Sequence, residues 1–111
     1  MADQRLSRTV LVVEDIEEIR LQIGAVLRER GHRVMFAKDP QQALQATKRH
    51  CPELILTDLD LPALDTLLSL VRQHQKLRNV DVAVIDIDHP EIGRKNVKVL
   101  RNFEQLDELL R

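Results

Sequence analysis

The chain has 111 residues, the common size of one domain, and its 43% of apolar residues supports a core without disulfide or metal staples. Lys and Arg number 17 against 18 Asp and Glu, and Phe36 and Phe103 are the two aromatic residues; this excludes the basic footprint of a nucleic-acid binder and a stacking platform for bases. The single Cys51, the polar start from Met1 to Ser7, and the lack of any apolar run near the roughly 20 residues of a membrane span lead us to expect a soluble cytoplasmic protein.

A short tail over residues 1–8 is expected to precede one domain over 9–111. The first apolar run, Thr9 to Val13, reads as a strand with apolar residues on both faces, as in a parallel strand covered on both sides. Ile19, Ile23, Val26, Leu27 and Arg30 then form one helical stripe, and Gly31 stands where a helix ends. A second strand over Arg33 to Ala37 leads to Asp39-Pro40, an N-cap with proline in the first turn of a helix that Pro52 closes off. Leu54 to Thr57 reads as the third strand. Leu64, Leu67, Leu68 and Val71 mark a helix ending near Leu77, the first caps for it being sought at Asp65 or Thr66. Strands over Val80 to Ile87 and Val97 to Leu100 follow, and Phe103, Leu106, Leu109 and Leu110 give a short final helix capped by Asn102. Strict alternation predicts a doubly wound α/β fold with a parallel sheet, the first, third and fourth strands central, and a site at the carboxyl ends of the strands.

Carboxylates gather at those ends: Glu14 and Asp15 after the first strand, Asp58 after the third, Asp86 and Asp88 at the end of the fourth. Converging carboxylates suit Mg²⁺, a hard cation with oxygen ligands, and a metal there favours in-line attack by a carboxylate on a phosphoryl donor. A plainer reading makes Asp15 the N-cap of the first helix, with Glu18 completing a capping box. The four histidines have no ligand spacing, and Arg28, Glu29, Arg30, Lys48 and Arg49 read as solvated helix ends.

The run Val10-Leu11-Val12-Val13-Glu14-Asp15 resembles the first strand and acidic pair of response-regulator receiver domains. Pro52-Glu53-Leu54-Ile55-Leu56-Thr57-Asp58-Leu59-Asp60-Leu61-Pro62 resembles their third strand, phospho-acceptor and following proline. The resemblance spans Thr9 to Ile85 and implies a flavodoxin-like (βα)5 sheet of order 2-1-3-4-5. It also implies a two-component signalling module rather than an enzyme: Asp58 takes a phosphoryl group from a histidine kinase or phosphotransfer protein, and Glu14, Asp15, Asp58 and the carbonyl of Asp60 arrange Mg²⁺.

Three features depart from the family pattern. Asp86 stands where the family has a Thr or Ser that closes on the phosphoryl group, and a carboxylate adds like charge there instead of a donor. Arg101-Asn102 replaces the family's Lys-Pro pair, and without proline a cis bond costs roughly 2.5 to 4 kcal/mol, so a trans peptide and a possible pairing of Arg101 with Asp86 are expected. Only His89 to Asn96 separates Asp88 from Val97, short for a crossover of at least about 10 to 12 residues; the fourth helix of the family is expected to be reduced or missing, exposing one side of strands four and five to a partner or second copy. An alternative is therefore a degenerate receiver that docks proteins without phosphorylation. From another class, Asp58-Leu59-Asp60 resembles the nucleophile motif of haloacid-dehalogenase phosphatases, but Leu61-Pro62 departs from the residues that usually follow it.

Overall fold

The computed structural model describes residues 8–57, 61–74, 80–85, 97–100 and 103–109. Strands β1 (Thr9–Val13), β2 (Arg33–Ala37), β3 (Leu54–Thr57), β4 (Asp81–Ile85) and β5 (Val97–Leu100) alternate with helices α1 (Glu17–Glu29), α2 (Pro40–Arg49) and α3 (Leu61–Gln73), and α4 (Phe103–Leu109) follows β5. Every strand pair is parallel and the order is β2-β1-β3-β4-β5. The flavodoxin-like architecture and the central places of β1, β3 and β4 agree with the sequence reading.

Alternation along the strands divides the core. Val10 and Val12 of β1, with Leu54, Leu56, Ala83 and Leu100, pack against Ile23 and Leu27 of α1, and Leu109 of α4 joins them. Leu11 and Val13, with Ile55, Val82 and Val84, face Ala43 of α2 and Leu64, Leu67 and Val71 of α3. Because a strand's side chains alternate between faces, an unbroken apolar run from Val10 to Val13 of β1 is what a sheet sandwiched between two helix layers requires.

The helix ends follow local chemistry. At the end of α1, Gly31 adopts φ 85, its N–H donates to the carbonyl of Arg28, and that of His32 donates to the carbonyl of Leu27. This is a Schellman stop, and the left-handed residue it needs is the glycine. Asp39 caps α2, its Oδ1 accepting the Gln42 N–H at 2.8 Å, while Gln42 Oε1 accepts the Lys38 N–H at 3.1 Å.

Several boundaries differ from those expected. α1 has Ile16 at its N-cap with no side-chain cap, so Asp15 and Glu18 do not form the capping box. α3 starts at Leu61, ahead of the caps sought at Asp65 or Thr66; Pro62 suits a first turn, where its missing N–H costs nothing. The helix also stops at Gln73 rather than near Leu77, and the N–H of His74 bonds the carbonyl of Val71 in a tight last turn. β4 starts at Asp81, with Val80 buried beside the strand rather than in it. Val82, Ala83 and Val84 are buried, so β4 shows no exposed face at these residues, contrary to the uncovered side expected of strand four; the side chains that would show this for strand five lie outside those described. The shortened or missing fourth helix, the continuation of β4 to Ile87 and the Asn102 cap lie outside the described residues.

Candidate functional site

In an open parallel sheet, the crevice for ligands lies at the carboxyl ends of the strands where the chain's winding reverses. The order β2-β1-β3 places that reversal between β1 and β3. These strands are in register, with Val13 opposite Thr57, and Thr57 is opposite Val84 of β4. The three central strands therefore end at one level, and Glu14 and Asp15 leave the first of them directly into the crevice region.

Glu14 is fixed at its main chain and its carboxylate. Its N–H donates to the carbonyl of Ala37 at 3.0 Å, continuing the pairing with β2 by one residue. Its side chain is 2% exposed, and Oε1 accepts the N–H of Ile16 at 3.0 Å. Its carbonyl accepts from Arg20 Nη1 at 2.9 Å. Glu14 thus supplies, from two residues upstream, an acceptor at the start of α1 where Ile16 has none to offer, and Arg20 ties the first turn of the helix back to the loop. The spacing of Glu14 and Arg20 gives no sequence signal for this contact, which sequence reasoning missed.

Asp15, held between these anchors, is exposed. The first turn of α1 carries Glu17 and Glu18, which complement its dipole and add negative potential beside Asp15. On the β3 side, Thr57 is 1% exposed and ends the strand.

Asp58 follows Thr57 in the chain, and Asp60 immediately precedes α3; both lie outside the described residues, as do Asp86, Arg101 and Asn102. Ile85 and Leu100, which precede Asp86 and Arg101 in the chain, are partners across β4 and β5. Among the described residues no three His, Cys, Asp or Glu side chains form a metal-binding group. An exposed carboxylate at Asp15, on a loop fixed by its neighbour, is nonetheless the donor a hydrated Mg²⁺ accepts, since this ion keeps several waters and takes one or two carboxylates. Glu14, buried with Oε1 engaged, fits better as the residue that positions Asp15. No helix among the described residues is long and apolar enough to cross a membrane.

Comparison with known proteins agrees with this geometry. The sequence model of the response regulator receiver domain matches residues 10–85, a stretch that contains Glu14, Asp15, Asp58 and Asp60. The transcriptional regulatory protein PdtaR of Mycobacterium tuberculosis is 35% identical over 65 residues, covering 58% of this chain and 32% of that protein. The virulence transcriptional regulatory protein PhoP of Salmonella typhimurium is 34% identical over 91 residues, covering 82% of this chain and 40% of that protein. The chain thus spans well under half of these relatives' length. Among solved structures, the receiver domain of the sensor histidine kinase PA1611 from Pseudomonas aeruginosa, with a magnesium ion in its active site cleft, superposes with a TM-score of 0.79 at 23% identity and covers 94% of both chains. A putative response regulator from Chloroflexus aurantiacus gives 0.71 at 25% identity and covers 93% of both. The alternating sheet, the acidic pair after β1 and the family match together establish that this chain belongs to the response regulator receiver domain family.

Proposed function

We propose that this receiver domain accepts a phosphoryl group on Asp58 from a histidine kinase or a phosphotransfer protein in the cytoplasm. The observation that carries this reading is the register of β1 with β3, Val13 opposite Thr57, because it brings the acidic pair and residue 58 out of adjacent strands at the winding reversal. Asp15 and Asp58 hold Mg²⁺ together with the carbonyl of Asp60, and Glu14 orients Asp15. When bound, the cation offsets the charge of the carboxylates and of the phosphoryl oxygens. A carboxylate oxygen of Asp58 attacks phosphorus in line as the bond between phosphorus and the donor nitrogen breaks.

The switch residues argue for a weak response. A phosphoryl group shifts a conformational equilibrium only by its differential interaction with the two states. Asp86 offers no hydroxyl to close on it, and Arg101 is followed by Asn102 instead of the proline of the family pattern. Incubation with acetyl phosphate and Mg²⁺ followed by intact mass measurement tests the reading. A phosphoryl adduct that disappears in chelator supports it; the absence of any adduct favours the phosphorylation-independent docking module.

The metal assignment has its own test. Calorimetric titration with Mg²⁺ should give weak binding heat for the wild type and little or none for Asp15→Ala, since one carboxylate of the small set is removed. Equal heats from the two proteins would remove Asp15 from the metal site.

A further inference from the structure

Two side chains fix the backbone of Asp15, one from either side. The peptide plane that joins Glu14 to Asp15 is held at its carbonyl oxygen, which accepts from Arg20 Nη1 at 2.9 Å. The plane that joins Asp15 to Ile16 is held at its N–H, which donates to Glu14 Oε1 at 3.0 Å. Peptide units are rigid planes, so a residue's conformation is set by the two planes that meet at its Cα. With both planes tied, the Cα–Cβ bond of Asp15 keeps one direction, and ordering its carboxylate costs only side-chain rotation. The two anchors differ in kind. Glu14 is buried and its own N–H is tied to the Ala37 carbonyl, whereas Arg20 is half-buried and reaches back across the first turn of α1 to a partner six residues away. A cation near a helix N-terminus gains nothing from the dipole, so the dipole does not account for an arginine here; the carbonyl contact does.

We propose that Arg20 is a positioning residue for the cation that Asp15 and Asp58 hold, a role that rests on the Mg²⁺ reading above. It acts through the Glu14 carbonyl rather than on the cation, keeping the Asp15 side chain in one direction before the cation arrives. Mg²⁺ demands near-ideal geometry of its ligands, and a carboxylate already placed binds it with less ordering cost. Charge and position oppose each other at this residue. The guanidinium lies beside the acidic pair, so by Coulomb's law alone its removal would strengthen Mg²⁺ binding; loss of the anchor would weaken it. The position effect is the larger. Arg20 is partly exposed, so its charge is screened by water and salt, whereas residues that hold a metal ligand in place change metal affinity by about 10- to 100-fold.

Titration of the full chain with Mg²⁺ at constant ionic strength, followed by the amide shifts of Asp15 and Ile16, reads the sign. Arg20→Met keeps the aliphatic stem and removes the donor; its Mg²⁺ affinity should fall about tenfold, the lower end for residues of this kind. Arg20→Lys keeps a charged donor and should recover most of the loss. Ile23→Val alters a buried position of the same helix two turns beyond Ile16. It loosens the packing of α1 and leaves both anchors of Asp15 in place, so it should bind Mg²⁺ as the wild type does, which separates positioning from helix stability. Three results would each overturn the proposal while leaving the Mg²⁺ reading intact: an affinity of Arg20→Met equal to or above wild type, no recovery in Arg20→Lys, or an equal loss in Ile23→Val. A wild type with no Mg²⁺ response at all would overturn that reading and the proposal together.

Discussion

Ile55→Ala lowers the free energy of unfolding by about 3–5 kcal/mol, the upper part of the range for large-to-small changes in a core. Ile55 is 0% exposed and stands in the middle strand of the sheet, paired with Leu11 on one side and Val82 on the other. Its side chain lies in the layer beneath α2 and α3 with Leu64, Leu67 and Val71. Strand pairing on both edges keeps the backbone from moving inward, so the cavity left by the missing atoms stays largely open and the lost contacts are not regained. A loss of this size is a large share of the roughly 5–15 kcal/mol that holds a domain together. Urea titration at low micromolar concentration measures it, with Leu21→Ala as the exposed comparison, expected within about 0.5 kcal/mol of wild type. A loss below about 1.5 kcal/mol for Ile55→Ala would mean that this layer collapses readily and is not close-packed.

Gly24→Ala should also destabilise the fold, by about 1–2 kcal/mol, although alanine is the better helix former by roughly 1 kcal/mol. The reason is a close approach between α1 and the edge strand β2. A Cβ on residue 24 meets Cζ of Phe36 at 2.5 Å and Cε1 at 2.7 Å, far inside van der Waals contact, and overpacking of this kind costs about 1–3 kcal/mol. Phe36 is half-buried with the exposed Arg28 over its ring, so relief comes only from shifting the ring and the arginine together. The sign of the effect therefore depends on residue 36. In a Phe36→Leu background the same glycine substitution should become neutral or stabilising, because the ring is gone and the helix propensity remains. A double-mutant cycle by thermal or urea unfolding reads the coupling, and additive effects of the two changes would show that the helix and strand are not in such close contact.

The elements were legible where one physical cause dominates. Both-face apolar runs identified the central strands, because only a covered strand can carry Val10 to Val13 without a polar residue. Gly31 and Asp39-Pro40 identified helix ends, because few residue types satisfy a left-handed stop or a capped first turn. Legibility failed where two causes compete for one residue. Asp15 has the spacing of a capping box with Glu18, yet the buried carboxylate of Glu14 reaches the Ile16 N–H instead and Asp15 is left exposed. That choice depends on tertiary burial, to which local spacing is blind.

Long-range side-chain contacts were equally invisible. Glu53 Oε2 accepts the Thr9 N–H at 2.7 Å, and Arg72 Nη1 donates to the Val80 carbonyl at 2.9 Å, closing the ends of strands that meet only after folding. Val80 read as strand because it is apolar, whereas it is buried by packing beside β4. Of the candidate site, the sequence placed the acidic pair at the correct strand end, and the sheet order explains why that end matters. The sequence assigns Glu14 and Asp15 the same role toward Mg²⁺, and their burial, which local spacing does not encode, is what differs: Glu14 is buried and Asp15 exposed.

The phosphoryl-acceptor reading is tested most directly by intact mass spectrometry of the wild type and Asp58→Asn, each incubated with acetyl phosphate and Mg²⁺. An amide keeps the size of the side chain but removes the nucleophilic carboxylate oxygen. One phosphoryl adduct on the wild type and none on Asp58→Asn is the expected result, and equal adduct on both proteins, or none on either, would contradict it.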